Sequence, residues 1–227
     1  EGIGPRDLCD RWEGLSQFST ILWCDGTRLP NQLDTERADA LKQWIRRGGT
    51  FVIGIASDGA AEAWGNGTTD SHKLADLLPS ASPRRVDGVL VSTILPILSK
   101  SEANNAPTAK TNLYVFDPRT LDRGYRPLVA LPAAKDATTG LSLAGEGSLD
   151  GAIVGVQRNY GFGQVIVLGI DVDGINRRGL QRGSLPQGDI FWNGVLGRRG
   201  DTPTAEEMQI LDDQNKLYTS APSLSAL

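Results

Sequence analysis

The segment from Phe18 to Ala56 constrains the fold of this chain more than any other part of its sequence. An apolar run rich in β-forming residues, "FSTILWCDG" at Phe18–Gly26, ends in Asp-Gly, which is typical of a buried strand followed by a turn. A second apolar run, "TFVIGIA" at Thr50–Ala56, follows the stretch "LDTERADALKQWIRRGG" at Leu33–Gly49. Strand, helix and strand with short connections predict a right-handed βαβ unit in a parallel sheet.

The stretch Leu33–Gly49 carries the start, face and end signals of an amphipathic helix. Asp34 or Thr35 can serve as the N-cap, and the pair Gly48-Gly49 can end the helix. Four apolar residues between them recur at helical spacing and predict one buried face: Ala38, Leu41, Trp44 and Ile45.

The rest of the chain indicates further strands and helices around this unit. The remaining predicted elements are a short helix at Ser71–Pro79, strands within Val86–Leu98, Asn112–Asp117 and Arg126–Ala133, a hairpin turned at "NYGFG" within Ala152–Gly174, and helices at Gly188–Arg199 and Thr202–Leu217. We therefore expect one α/β domain over residues 1–217, with a loose tail at 218–227. Its sheet is expected to be mostly parallel, flanked by helices, with a β-rich insertion at about 83–144.

The charge balance and the length of the apolar runs exclude two classes of partner. The chain has 23 basic and 27 acidic side chains, a net charge of −4, so it lacks the basic footprint of a nucleic-acid-binding protein. Its longest apolar runs are too short to cross a bilayer, so we expect no membrane insertion by this segment itself. The chain starts at Glu1 without a signal-peptide pattern, and we expect it to be a piece of a longer protein.

The βαβ segment resembles the first half of a class I glutamine amidotransferase-like domain, in which a helix and Gly-Gly lead into the strand before the nucleophile elbow. The segment Tyr160–Asp173, "YGFGQVIVLGIDVD", is similar to a hairpin near the end of such domains in large, membrane-anchored bacterial envelope proteins. The resemblance implies a flavodoxin-like or amidotransferase-like arrangement. It also implies a soluble domain of a membrane-anchored protein, on the periplasmic side, with other domains of the parent chain or envelope proteins as partners.

The residues at the elbow differ from those of active members of that family. The elbow reads "GIASDG" at Gly54–Gly59, and the position that matches the family's catalytic cysteine is Ala56. The family's histidine comes late in the chain, whereas His72 is the single histidine here. Amidotransferase chemistry needs a thiolate prepared by a base. We therefore expect a non-catalytic module that binds a protein partner or a small ligand.

A hydrolase is an alternative interpretation of the same turn. "IASDG" is similar to a serine elbow, and Ser57 with His72 would supply a nucleophile and a base. Ser57 can equally cap the helix that follows, which is the more common role of a serine in a strand-to-helix turn.

Aspartates at predicted strand ends suggest a second alternative. Asp25 ends one strand, Asp58 follows another, and Asp171 and Asp173 end a third. Carboxyl ends of parallel strands share one edge, so these oxygens could hold Mg²⁺ or Ca²⁺ as a cofactor. Aspartates in such positions also shape turns and cap helices without any metal.

Two further expectations concern a tryptophan and the cysteines. Most of the five tryptophans are expected in the core, and Trp64, in "AWGNG", is the one expected to be exposed and to touch a partner. Cys9 and Cys24 show no zinc-binding spacing, and they are either two free thiols or a disulfide.

Overall fold

The computed structural model describes residues 4–24, 30–56, 60–64, 72–98, 110–132, 149–171 and 188–197. Within these ranges a five-stranded sheet has the order β1-β2-β7-β6-β5. Its strands are β1 (Thr20–Trp23), β2 (Thr50–Gly54), β5 (Arg126–Ala130), β6 (Ile153–Tyr160) and β7 (Gly163–Leu168). Strands β1, β2 and β7 are parallel to one another, whereas β6 is antiparallel to β7 and to β5. The sheet is therefore mixed, and the predicted parallel pairing holds only for the β1-β2-β7 edge.

The predicted βαβ unit is confirmed. Helix α2 (Thr35–Arg46) connects β1 to β2, which pair in parallel with Thr20 opposite Thr50. The Asp34 side chain caps the helix by accepting a 2.8 Å hydrogen bond from the backbone N–H of Arg37. The helix ends where Gly48 takes a φ of 121°, a conformation that favours glycine.

Both faces of the sheet are covered, which makes it the central layer of an α/β fold. Alternate residues of the central strands enter two separate cores, so that Phe51 and Val165 lie on one face while Val52 and Ile166 lie on the other. Helices α1 (Trp12–Leu15), α2 and α3 (Ala60–Trp64) contribute to the first core, and α4 (Val91–Leu98) and α5 (Gly188–Leu196) to the second. The α/β class predicted from the sequence is confirmed.

A two-stranded antiparallel sheet completes the second core. It consists of β3 (Arg84–Leu90) and β4 (Lys110–Val115), and α4 follows β3 directly and contains Pro96. The segment of β4 also forms isolated bridges to the main sheet, between Leu113 and Ile170 and between Phe116 and Ile153. The predicted helix at 202–217 and the tail at 218–227 lie outside the described residues.

The hairpin β6–β7 docks on the end of helix α2. Its two-residue turn is Gly161-Phe162, and the Phe162 N–H donates a 2.9 Å hydrogen bond to the Arg46 carbonyl. Gly161 has a φ of 68°, and a Cβ on Gly163 would lie 2.1 Å from the Ile45 carbonyl oxygen. The glycines of "NYGFG" therefore allow the backbone of the hairpin to satisfy carbonyls that the helix leaves open.

Candidate functional site

The carboxyl ends of the three parallel strands define the candidate site. Cys24 follows β1, Ile55 and Ala56 follow β2, and Asp171 comes three residues after the end of β7. The Ile55 N–H donates a 3.0 Å hydrogen bond to the Leu168 carbonyl, which keeps the exits of β2 and β7 together. Ligands of open α/β sheets bind at such an edge, so this is where the sequence analysis placed a site.

Cys24 is a half-buried thiol at this edge. A Cβ on Gly54 would lie 2.9 Å from the Cys24 sulfur, so glycine at this position makes room for the thiol. Burial raises the pKa of Cys24 to about 11; a backbone hydrogen bond with Gly54 opposes this shift, and the charge of Asp171 adds to it. The thiol is therefore protonated at neutral pH and is a poor nucleophile. Both cysteines are free thiols, as one of the two alternatives predicted.

Only some of the other residues predicted at this edge lie within the described part of the chain. Ala56 is buried, and its side chain is a methyl group without a nucleophilic atom. Of the four predicted aspartates, Asp171 is buried at the edge, with 6% of its surface exposed. Asp25, Asp58 and Asp173 lie outside the described residues, as does Ser57. Within the part of the chain that the structure describes, no group of three or more histidine, cysteine or acidic side chains could hold a metal ion.

His72 is a core residue whose two ring nitrogens are both hydrogen-bonded to the backbone. Nδ1 accepts a 3.2 Å hydrogen bond from the Leu74 N–H, and Nε2 lies 2.7 Å from the Trp64 carbonyl oxygen. Because a backbone N–H can only donate, Nδ1 must be the acceptor and Nε2 must carry the proton. A neutral ring locked in this tautomer has no free nitrogen with which to act as a base.

The expectation that Trp64 is exposed is wrong. Residues 60–64 form helix α3, and its last residue, Trp64, faces the core. Only 1% of the Trp64 surface is exposed. Its ring packs edge-on against Trp23 and His72, at centroid distances of 5.3 and 5.4 Å. Trp64 is therefore a structural residue that joins α3 to the sheet and to His72.

Lowering the pH through the titration of His72 is expected to destabilise the fold. Burial lowers the pKa of His72 below its ordinary value of 6.5; the Trp64 carbonyl and the charge of Asp76 oppose the shift, and Lys42 adds to it. The unfolded chain therefore binds the proton more tightly than the folded chain. The stabilisation from neutral His72 is complete above about pH 6.5 and is lost as the pH falls through the lower folded-state pKa.

Urea unfolding between about pH 8 and about pH 5 measures this effect, because ordinary carboxylates titrate below that window. The His72→Asn variant is the control, since its side-chain oxygen can accept from Leu74 but does not titrate. We expect a flatter pH dependence in the variant. An equally steep dependence of the unfolding free energy on pH in both proteins would contradict the conclusion that the folded chain keeps His72 neutral.

A set of side chains that the sequence analysis missed holds the segment that carries His72. The predicted helix at 71–79 is a single 3-10 turn, Ala75–Leu77. Arg158 donates a 2.6 Å hydrogen bond to the Asp76 carbonyl, Tyr125 donates to the Leu77 carbonyl, and Arg123 donates a 2.8 Å hydrogen bond to the Leu78 carbonyl. These bonds satisfy three consecutive carbonyls and fix the segment on the antiparallel side of the sheet. The one sequence signal was Arg158 itself, a charged residue inside an apolar strand.

No family model matches this chain, and no curated protein matches it either. Among solved structures it is similar to a cytoplasmic protein from Salmonella typhimurium, with 9% identity, coverage of 85% of this chain and 76% of that chain, and a TM-score of 0.39. A protein described as ThuA-like from Bacteroides uniformis ATCC 8492 shows 15% identity, coverage of 82% and 70%, and a TM-score of 0.40.

A β-galactosidase from Bacillus circulans sp. alkalophilus is also similar, with 13% identity and a TM-score of 0.35, over 68% of this chain but only 20% of the enzyme. At such identities and TM-scores these similarities assign neither a family nor an activity to this chain. Its own strand order and helices define an α/β domain with a parallel edge. Within the described residues, no helix is long and apolar enough to cross a membrane.

Proposed function

We propose that this chain is a non-catalytic domain of the class I glutamine amidotransferase-like kind. In this proposal it belongs to a larger bacterial envelope protein and binds a protein partner or a small ligand at the carboxyl edge of β1, β2 and β7. The observation that carries the proposal is the placement of His72, because the single histidine of the chain is committed to two backbone hydrogen bonds in the core.

The groups at the edge support the same conclusion. Ala56 has no nucleophilic atom, and the nearby Cys24 keeps its proton because its pKa is raised to about 11. Thiol catalysis needs the reverse, a lowered pKa and an adjacent base. Loss of the thiolate and of the base together favours binding over chemistry.

Asp171 supports a binding role at this edge. It is a buried carboxylate beside the carboxyl ends of β1 and β7, where α/β domains hold their ligands. A carboxylate accepts hydrogen bonds and attracts positive charge. Its negative charge at this edge therefore favours a positively charged ligand or partner side chain over an anion such as a phosphate.

Turnover assays test the proposal. We expect no ammonia release from glutamine and no hydrolysis of a p-nitrophenyl ester above the rate of heat-denatured protein, with or without millimolar Mg²⁺ or Ca²⁺. The Ser57→Ala and His72→Asn variants serve as controls. A rate in the wild type that both variants abolish would replace the proposal with the hydrolase alternative.

A further inference from the structure

The exposed face of helix α2 divides into an acidic half and a basic half. Glu36, Asp39, Gln43 and Arg46 are exposed, and their spacing of three or four residues places them on one side of the helix. Arg47, the exposed C-cap residue, comes four residues after Gln43 on the same side. The two acids occupy the first half of this face and the two arginines its end. The neutral Gln43 lies between them.

A cleft adjoins the acidic half of this face and adds further carboxylates to it. It has a volume of about 430 Å³ and lies between α2 and the segment of α1. Besides Trp12, its lining contains four carboxylates and one cation: Asp10, Glu13, Glu36, Asp39 and Arg11. Within the described part of the chain, none of these four carboxylates takes part in an ion pair. The four carboxylates outnumber Arg11, so the cleft is a predominantly acidic surface of this chain.

Aromatic rings hold the two arginines of the basic half in place. The Arg47 guanidinium lies 3.8 Å from the centre of the Trp12 ring, and that of Arg46 lies 5.0 Å from the centre of the Tyr160 ring. Arg46 also donates a 2.9 Å hydrogen bond to the Tyr160 hydroxyl. Within the described residues neither arginine has a carboxylate partner. Stacked guanidinium groups of this kind keep N–H donors for an acidic partner.

Phe162 lies beside the basic half, and nothing in the described part of the chain covers its ring. Its ring is 94% exposed although its backbone is fixed to the Arg46 carbonyl. The helix dipole explains why acids precede arginines along α2. The hairpin turn needs a positive φ at Gly161 and not at Phe162, so the backbone does not account for this fully exposed phenylalanine. Aromatic and arginine side chains together are typical of protein interfaces.

We propose that this face binds a second copy of the same chain, with the two α2 helices antiparallel across a two-fold axis near Gln43. Glu36 and Arg47 are eleven residues apart, about 16 Å along a helix. In the antiparallel arrangement the acidic half of each copy meets the arginines of the other. Phe162 of each copy then lies against the acidic cleft of its partner, and every contact occurs twice, as a two-fold interface requires.

The mixture of charges favours a second copy over other partners. An anionic membrane or a nucleic acid would be repelled by the four carboxylates next to the arginines. A partner must instead place basic groups opposite the acidic half and acidic groups opposite the basic half. A second copy of this face, rotated about the two-fold axis, presents its charges in that order. The inference does not depend on the proposed function of the carboxyl edge.

Light scattering coupled to size-exclusion chromatography, together with sedimentation velocity, tests the proposal. We expect the wild type to show the mass of two 24.3 kDa chains. The pair Arg46→Glu with Arg47→Glu and the pair Glu36→Lys with Asp39→Lys are each expected to be monomeric. An equimolar mixture of these two variants is expected to form a dimer, since both charge contacts are then restored. Phe162→Ser is expected to weaken the dimer by about tenfold or more.

Charge reversal on another surface is the matched control. Arg119 and Arg126 are exposed, and Arg126 lies on β5, at the opposite edge of the sheet from β1, so Arg119→Glu with Arg126→Glu is expected to leave the dimer intact. Restoration by mixing requires that both variants are folded, so it separates a lost interface from a lost fold. A wild type that stays monomeric at every soluble concentration would overturn the proposal. So would a dimer that survives both reversals, or two monomeric variants that do not combine.

Discussion

Replacing Gly163 by alanine is expected to destabilise the protein by about 3 kcal/mol or more, or to prevent folding. The added Cβ would lie 2.1 Å from the Ile45 carbonyl oxygen and 2.2 Å from the Gly49 carbonyl oxygen. Both oxygens belong to the backbone that ends α2, so no rotation of a side chain can make room. Relief would require the hairpin to move off the helix, which would break the hydrogen bonds that Phe162 and Gln164 donate there. Urea or guanidinium unfolding measures the loss.

Gly194→Ala is the matched control for this substitution. Gly194 lies in helix α5, and a Cβ at that position would meet nothing within 4 Å. The control variant is expected to be unchanged or more stable by up to about 1 kcal/mol, because alanine is the better helix former. A Gly163→Ala variant within about 0.5 kcal/mol of the wild type would show that the hairpin does not dock on α2 in solution.

Truncating Trp64 to alanine is expected to cost about 3 to 5 kcal/mol of unfolding free energy. The ring is fully buried between Trp23, Phe51 and His72, so its removal leaves a large cavity under α3. Denaturant unfolding followed by circular dichroism avoids the change in tryptophan fluorescence that the substitution itself causes.

Leu22→Ala provides the comparison for Trp64→Ala, because Leu22 lies on β1 next to Trp23, against which Trp64 packs, but is 47% exposed. Its truncation is expected to cost about 1 kcal/mol or less. If Trp64→Ala were no more harmful than Leu22→Ala, Trp64 would be a surface residue, as the sequence alone had suggested.

The βαβ unit was predictable because its signals are local and agree with one another. Asp34 can cap only the helix that follows it, the apolar residues of α2 repeat at one period, and Gly48-Gly49 ends the helix within the same stretch of sequence. The hairpin around "NYGFG" was predictable for the same reason.

The position of that hairpin in the sheet was not predictable. Strand β7 pairs with β2, more than one hundred residues away in sequence. The pairings of β6 with β7 and with β5 are antiparallel, so two of the four strand pairings in the sheet are antiparallel. Such pairing depends on contacts between distant segments, which leave no periodic signal in either segment. The glycines after Trp64 suggested a loop, whereas the burial of the ring comes from the tertiary packing of α3.

The candidate site was predictable to the extent that strand ends are predictable. Asp171 lies at the expected edge because the apolar run of β7 stops just before it. The role of His72 could not be inferred, because its partners are backbone groups of Trp64 and Leu74. The same holds for Arg123 and Arg158, whose acceptors are carbonyls that every residue possesses.

The most direct test of whether the carboxyl edge holds an activated nucleophile is covalent labelling of the native protein. Intact and peptide mass spectrometry identify the labelled residue. A serine-directed fluorophosphonate is expected to add nothing. Iodoacetamide near neutral pH is expected to modify the exposed Cys9 quickly and the half-buried Cys24 only after unfolding, because the pKa of Cys24 is raised to about 11. In Cys9→Ala the fast reaction should disappear. One equivalent of fluorophosphonate on Ser57 that is absent when the protein is denatured first would contradict a non-catalytic domain. Fast labelling of Cys24 in the native protein would contradict it as well.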